Sequence, residues 1–349
     1  MPSFSPQDSA VTPDPKAGRF GRVLSISIRS SLTLLIIAAI AYFVDWSEFL
    51  NIVKTVHVPT LAVASILCVA DRLLMSYKWG ILLKVQRIEI PFWLNLSIYS
   101  ASAFVGLALP STVGADALRA VWVSRRAGHA AAVTSSIVFE RLVGFAIGSL
   151  FGIAGIVYLF LHGDGAGPLR TMVVLIVLVT SLFLLTLLLS FSGMLTKRVG
   201  YVLKTYVSAR LFGIVQPFHH AYSIYRNAWR YVGPFVGLSI LRQILLLSVE
   251  YVIVLALGID VGLLALVAAI AVTHVFSRLP IAITDIGMYE GVLIVLLLPL
   301  GLGPTDVVAM SVVGRILGII ALLPATLVAF LSGVIDRDVF RYGKSETEG

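Results

Sequence analysis

The chain has 349 residues, 58% of them hydrophobic and 13% charged, with a mean hydropathy of +0.98. A soluble domain is about half apolar and a quarter charged, so this balance excludes an ordinary cytosolic enzyme and a disordered chain, and it implies a membrane protein. The formal net charge of +8 does not mark a nucleic-acid binder, because Lys and Arg flank long apolar runs, and the single cysteine, Cys68, excludes an internal disulfide framework.

Met1 to Arg22 carries four prolines and the cations Lys16, Arg19 and Arg22. It has too little apolar surface to offset the entropy of ordering, and is expected to be a disordered cytoplasmic tail. The apolar run that follows it is not a cleavable signal, since Asp45, Trp46, Ser47 and Glu48 stand where small residues would be needed. A helix needs about 20 apolar residues to cross roughly 30 Å of hydrocarbon. In chain order the candidates are Leu24 to Val44, Pro59 to Leu83, Phe92 to Pro110, Val133 to Leu161, Leu169 to Phe191, Tyr231 to Leu257, Val261 to Pro280, Gly287 to Leu302 and Asp306 to Leu331.

Loop cations orient these segments, because Lys and Arg in short loops are retained on the cytoplasmic side. Residues 193–230 carry Lys197, Arg198, Lys204, Arg210, Arg226 and Arg230 with no Asp or Glu, so this connection is cytoplasmic. With Tyr201, Tyr206, Tyr222, Tyr225 and Trp229 among its cations, it reads as an interfacial helical segment touching anionic lipid. Counting back, Arg119, Arg125 and Arg126 fall inside, and so do Lys84 and Arg87 on the other side of Phe92 to Pro110. A segment that enters and leaves on one side is a re-entrant hairpin, and Gly106, Pro110 and Gly114 supply its breaks. Such backbone is tolerated at that depth only where it is buried in protein or lines a cavity.

Between Gln243 and Gly314 the only Lys or Arg is Arg278. The arms of Val261 to Leu302 are therefore a second hairpin, entering from outside, or two short spans. The hairpin completes a pattern in which each half reads span, span, hairpin, span, with opposite starting sides. Leu109-Pro110 and Leu279-Pro280 mark the two breaks. This is the inverted-repeat layout of many transporters. The expected fold is an all-α polytopic membrane protein with about six to eight transmembrane helices and one or two hairpins. Both termini are cytoplasmic, and one membrane domain over residues 23–335 lies between tails 1–22 and 336–349.

Ionisable residues inside a membrane mark a pathway or pair with one another. Here they are Asp71, Arg72, Glu140, Arg141, Arg242, Glu250, His274, Arg278, Asp285, Glu290 and Arg315. Asp116 and Arg119, three apart, share a face of the helix that starts after the Pro110 break, and Gly114 lets its first turn approach a ligand closely. An arginine on the first turns of a helix entering the membrane suits an anionic headgroup, although Arg119 also reads as a positive-inside anchor beside Arg125 and Arg126. Gly287 and Glu290 mirror that arrangement with a carboxylate, so the two hairpins could hold a zwitterionic or cationic head or pair with each other. His219 and His220 are adjacent and point about 100° apart on a helix, which makes them poor co-ligands of a metal. No phosphate-cradling glycine loop occurs, and no cofactor is expected.

The run Leu109 to Asp116 followed by Arg119, then Glu140-Arg141-Leu142, then Leu279-Pro280 to Gly287 with Glu290, then Arg315, resembles the flippase-like transmembrane domain of lysylphosphatidylglycerol synthases and its stand-alone relatives in bacteria and archaea. The resemblance runs from about Leu32 to Gly333. It implies translocation of modified or glycan-bearing lipids, with Pro110, Gly114, Asp116, Arg119, Glu140, Arg141, Pro280, Gly287, Glu290 and Arg315 as substrate-binding positions. Two departures stand out, Gly114-Ala115 in place of a Gly-Gly pair and Thr284-Asp285 in a usually glycine-rich stretch. Only sixteen residues follow Gly333, so the aminoacyl-transferase domain of the synthases, and lysine transfer with it, is not expected.

The favoured function is a lipid transporter of the bacterial inner membrane. The alternatives are an intramembrane transferase using Asp116 or Glu290 as base and an accessory protein partnering lipid-biosynthesis enzymes. A membrane-impermeant thiol reagent is expected to label both Thr284→Cys and Gly303→Cys from outside. Labelling of Thr284→Cys only from the cytoplasm would remove the second hairpin.

Overall fold

Every ordered element in the computed structural model is helical among the described residues, which are 42–107, 114–162, 223–277 and 287–333 with residues 38 and 181. In chain order the elements are α1 (Trp46–Lys54), α2 (Val58–Val85), α3 (Phe92–Gly106), α4 (Gly114–Ala127), α5 (Ala130–His162), α6 (Trp229–Ala256), α7 (Leu263–Ser277), α8 (Met288–Leu297) with a 3-10 turn (Leu298–Leu300), and α9 (Pro304–Leu331). Helices α2, α5, α6 and α9 are long and apolar enough to cross a membrane, matching four of the expected spans. The expected spans at 24–44 and 169–191, the connection 193–222 and both Leu-Pro breaks lie outside the described residues.

Helices α3 and α7 have 15 residues each. At 1.5 Å per residue they reach about 22 Å, short of the roughly 30 Å a span must cover. Each lies beside the next helix, α3 against α4 and α7 against α8. Where the helices of the first pair meet, a Cβ on Gly106 would stand 2.6 Å from that of Ala115, so only glycine lets the two helices approach there. In the second pair Gly287 takes φ +87, a left-handed conformation that favours glycine, and caps α8.

The order of lengths repeats along the chain. Helices α2 and α6 have 28 residues each, the two 15-residue helices follow them, and a shorter helix and a long one close each series. Packing follows the same order. The most extensive contact joins α2 to α6, and the next two are α7 on α5 and α3 on α9. Each 15-residue helix therefore packs on the last long helix of the other series.

Helices α2 and α6 run antiparallel. The His57 N–H, before α2, donates to the carbonyl of Ala256 at the end of α6 at 2.7 Å. The Tyr225 hydroxyl, before α6, donates to the carbonyl of Leu82 near the end of α2 at 3.1 Å. Outside the long helices, Asp45 caps α1, accepting from the Ser47 hydroxyl at 2.7 Å and from the N–H groups of Ser47 and Glu48. Those bonds, the Ser47 hydroxyl first, hold its carboxyl below the usual range.

The α5–α7 crossing depends on small residues. A Cβ on Gly155 would lie 2.6 Å from the carbonyl oxygen of Ala268, a backbone atom that does not yield as a side chain does. Gly155→Ala is expected to lower stability by about 1–3 kcal/mol. Gly318→Ala, at a position with no atom within 4 Å of the added carbon, should be neutral or slightly stabilising. Unfolding of the two variants in matched lipid nanodiscs separates these outcomes.

Candidate functional site

The α3–α4 pair carries a network of charge that burial forces into pairs. Asp116, the third residue of α4, is held by Arg119 at 3.1 Å on its own helix and by Arg141, the twelfth residue of α5. Arg119 is 3% exposed, and its Nη2 lies 2.8 Å from Glu140 on α5. Its guanidinium also sits over the rings of Trp79 and Tyr99, at 4.5 and 4.7 Å. Trp79 is oriented in turn by its Nε1–H donating to Ser136 Oγ at 3.0 Å. Among the described residues, Nε and Nη1 of Arg119 have no hydrogen-bond partner. Two buried donors are thus left over after the guanidinium has been fixed in place.

Between α2 and α6 lies a second network. Asp71, the fourteenth residue of α2, accepts from Nε of Arg242, the fourteenth residue of α6, at 3.0 Å. It also pairs with Arg72 at 2.8 Å. Lys78, 2% exposed, places its ammonium 4.9 Å from the centre of the Phe235 ring. A cavity of about 500 Å³ opens beside both networks, and its charged lining is Lys78, Asp116, Arg119, Glu140, Arg141 and Arg242. Four cations against two carboxylates give this lining an excess of positive charge. Ions cost several kcal/mol to desolvate, so an enclosed surplus of cations favours an anion that completes the pairing.

The second half repeats the first in outline. Glu290, the third residue of α8, accepts from Arg315, the twelfth residue of α9, at 2.8 Å. The separation along the chain is 25 residues, as it is between Asp116 and Arg141. The other oxygen of Glu290 accepts the N–H of Gly287 at 2.6 Å, the half of a capping box that a glycine N-cap permits. The Glu250 carboxylate lies close by, 3.8 and 3.9 Å from where a Cβ on Gly314 would stand.

The expected site residues therefore divide between two places. Asp116, Arg119, Glu140 and Arg141 meet at the cavity, with Gly114 opening the helix that carries the first two, and Gly287, Glu290 and Arg315 meet in the second cluster. Pro110 and Pro280 lie outside the described residues. Among the described residues, Arg119 and Glu290 do not pair with each other as the sequence had allowed, since each finds partners in its own half. Lys78, Tyr99 and Trp79 were missed. Lys78 had a signal, since it stands two turns from Asp71 on one face of an apolar helix, whereas nothing local announces the ring contacts of Arg119.

The family model for the lysylphosphatidylglycerol synthase TM region matches residues 26–325, and the chain belongs to that family. No curated protein and no solved structure matches it. Family and helices together make it a multi-pass integral membrane protein of lipid biosynthesis or transport.

Removing Arg119 leaves Glu140 buried without its cation. Arg119→Ala is expected to cost about 3–5 kcal/mol of stability, and the double variant Arg119→Ala/Glu140→Ala to regain part of that loss. Denaturation followed by tryptophan fluorescence checks both, and equal loss in the single and double variants would refute the coupling.

Proposed function

We propose that this protein moves an anionic or zwitterionic lipid between leaflets, holding the headgroup in the 500 Å³ cavity while the acyl chains stay in the bilayer. The observation that carries the reading is the excess of cations around that cavity, with two unpartnered buried donors on Arg119. A phosphate suits both features, because guanidinium nitrogens can hold two of its oxygens at once. Modified and glycan-bearing lipids share that phosphate and differ beyond it.

The membrane arrangement proposed with this function is an inverted repeat of span, span, re-entrant hairpin, span, with both termini cytoplasmic in a bacterial inner membrane. Its support is the repeated order of helix lengths, the matched carboxylate–arginine pairs 25 residues apart, and the antiparallel course of α2 and α6. Equivalent helices that run antiparallel imply a two-fold axis in the membrane plane, the relation that gives one site access to either side in turn. Helices α3 and α7 are too short to span, which favours hairpins over extra crossings. Enzymes that make the lipid are the natural partners.

Vesicles reconstituted with the purified protein and a fluorescent short-chain phosphatidylglycerol test the reading. Arg119→Ala, Lys78→Gln and Glu290→Gln are each expected to slow leaflet exchange of the probe by about tenfold or more, from the loss of a charge-assisted contact. Size-exclusion chromatography verifies that each variant remains folded. Unchanged exchange in folded variants would count against transport at this site.

A further inference from the structure

The two halves share a frame and fill it differently. Position by position along the helices, Trp79 of α2 corresponds to Glu250 of α6, and Glu140 of α5 corresponds to Gly314 of α9. In the first half, Arg119 and Arg141 balance Asp116 and Glu140. In the second half the span carries a glycine, and a carboxylate from the other long helix stands against it. Two acids, Glu250 and Glu290, then share one cation, Arg315.

The two acids are not equivalent. Both oxygens of Glu290 are engaged, one by Arg315 and the other by the Gly287 N–H. Oε2 of Glu250 is enclosed and has no hydrogen-bond partner among the described residues. Facing Glu250 are Arg315 from α9, Tyr289 and Glu290 from α8, and Cys68 from α2. Helix α7 brings His274 within 5.9 Å of the Tyr289 ring, and the charged residues of α5, Glu140 and Arg141, line the cavity instead. The Tyr289 side chain is 8% exposed, and its hydroxyl lies beside the Glu250 carboxylate.

A carboxylate with one oxygen enclosed, which must share its cation with a better-held neighbour, is most readily relieved by a proton. A proton also needs no cavity, and Glu250 does not line the 500 Å³ one. We propose that Glu250 is a proton-binding site, and that its protonation is coupled to the lipid movement proposed above. The coupling rests on that reading, while the proton site does not. A proton from water adds to the Glu250 carboxylate and later returns to water, so only one O–H bond forms and breaks. Glu250 lies six residues before the end of α6, about 9 Å along the helix. In the proposed topology that end faces outside.

Infrared pH titration of the full chain in lipid nanodiscs tests the site itself. Wild type is expected to lose a protonated-carboxyl band as the pH rises, Glu250→Gln to lack that band, and Tyr289→Phe to show it titrating at a shifted pH. Persistence of the band in Glu250→Gln overturns the proposal, as does its absence from wild type. Should Glu250→Gln not fold, an unshifted titration in Tyr289→Phe overturns it. Vesicles carrying fluorescent phosphatidylglycerol test the coupling, with exchange in wild type expected to respond to an imposed pH gradient and that response lost in Glu250→Gln. A wild-type rate indifferent to the gradient overturns the coupling. A wild type that moves no probe under any gradient refutes the transport reading, and the infrared titration still decides the proton site.

Discussion

The ion pair between Asp71 and Arg242 is the contact on which the arrangement of the two halves depends. It joins the same position of two helices of equal length that pack antiparallel, so on the inverted-repeat reading it lies where a residue meets its own counterpart. Identical residues there would set like charge against like, in surroundings where an isolated ion costs several kcal/mol. An acid on one helix and a base on the other replace that repulsion with an attraction between α2 and α6. Asp71, 2% exposed, has its carboxylate shared by Arg242 and Arg72.

That choice sets the electrostatics of the cavity. One carboxylate serves two arginines, and Lys78 follows two turns along the same helix, so the centre of the molecule is left with surplus positive charge. The surplus stands beside Arg119, which is itself held by Glu140, Asp116 and the two rings. A surplus is tolerable in an apolar protein only while water or an anion reaches it. The cavity and its charges are in this sense one feature, because filling the space with side chains would strand the cations.

Much of this was legible in the sequence, for identifiable reasons. Apolar length depends on one-dimensional chemistry, so α2, α5, α6 and α9 fall where expected. The pairing of Asp116 with Arg119 follows from helical register alone. The partners that decide the second cluster were not legible, because Glu250 and Gly314 meet only through the way α6 and α9 cross. The same holds for Trp79 and Tyr99 over Arg119, since helical period fixes the face of a residue and not the element it meets. The 25-residue spacing was present in the sequence, but it gains meaning only once both carboxylates stand third in their helices and both arginines twelfth.

The packing also ranks which contacts can be exchanged for a headgroup. Helices α3 and α9, and helices α7 and α5, clasp across the two halves, with Gly152 and Gly155 letting α7 lie against the α5 backbone. Close packing of this kind has two discrete arrangements or one and does not loosen gradually. The Asp71–Arg242 pair is nearly enclosed on its acidic side, and its separation would strand a buried carboxylate. Arg141 differs, since its side chain is 48% exposed and its pairing with Asp116 is screened, so that contact contributes little to stability. On the transport reading, a phosphate entering the cavity meets Arg141 first and takes it from Asp116 at small cost. Asp116 then keeps Arg119 as its partner, and the buried donors Nε and Nη1 of Arg119 remain for the phosphate oxygens. The exchange leaves Asp116, Arg119, Glu140 and Arg141 each paired before and after it, which a mobile headgroup in a low-dielectric site requires.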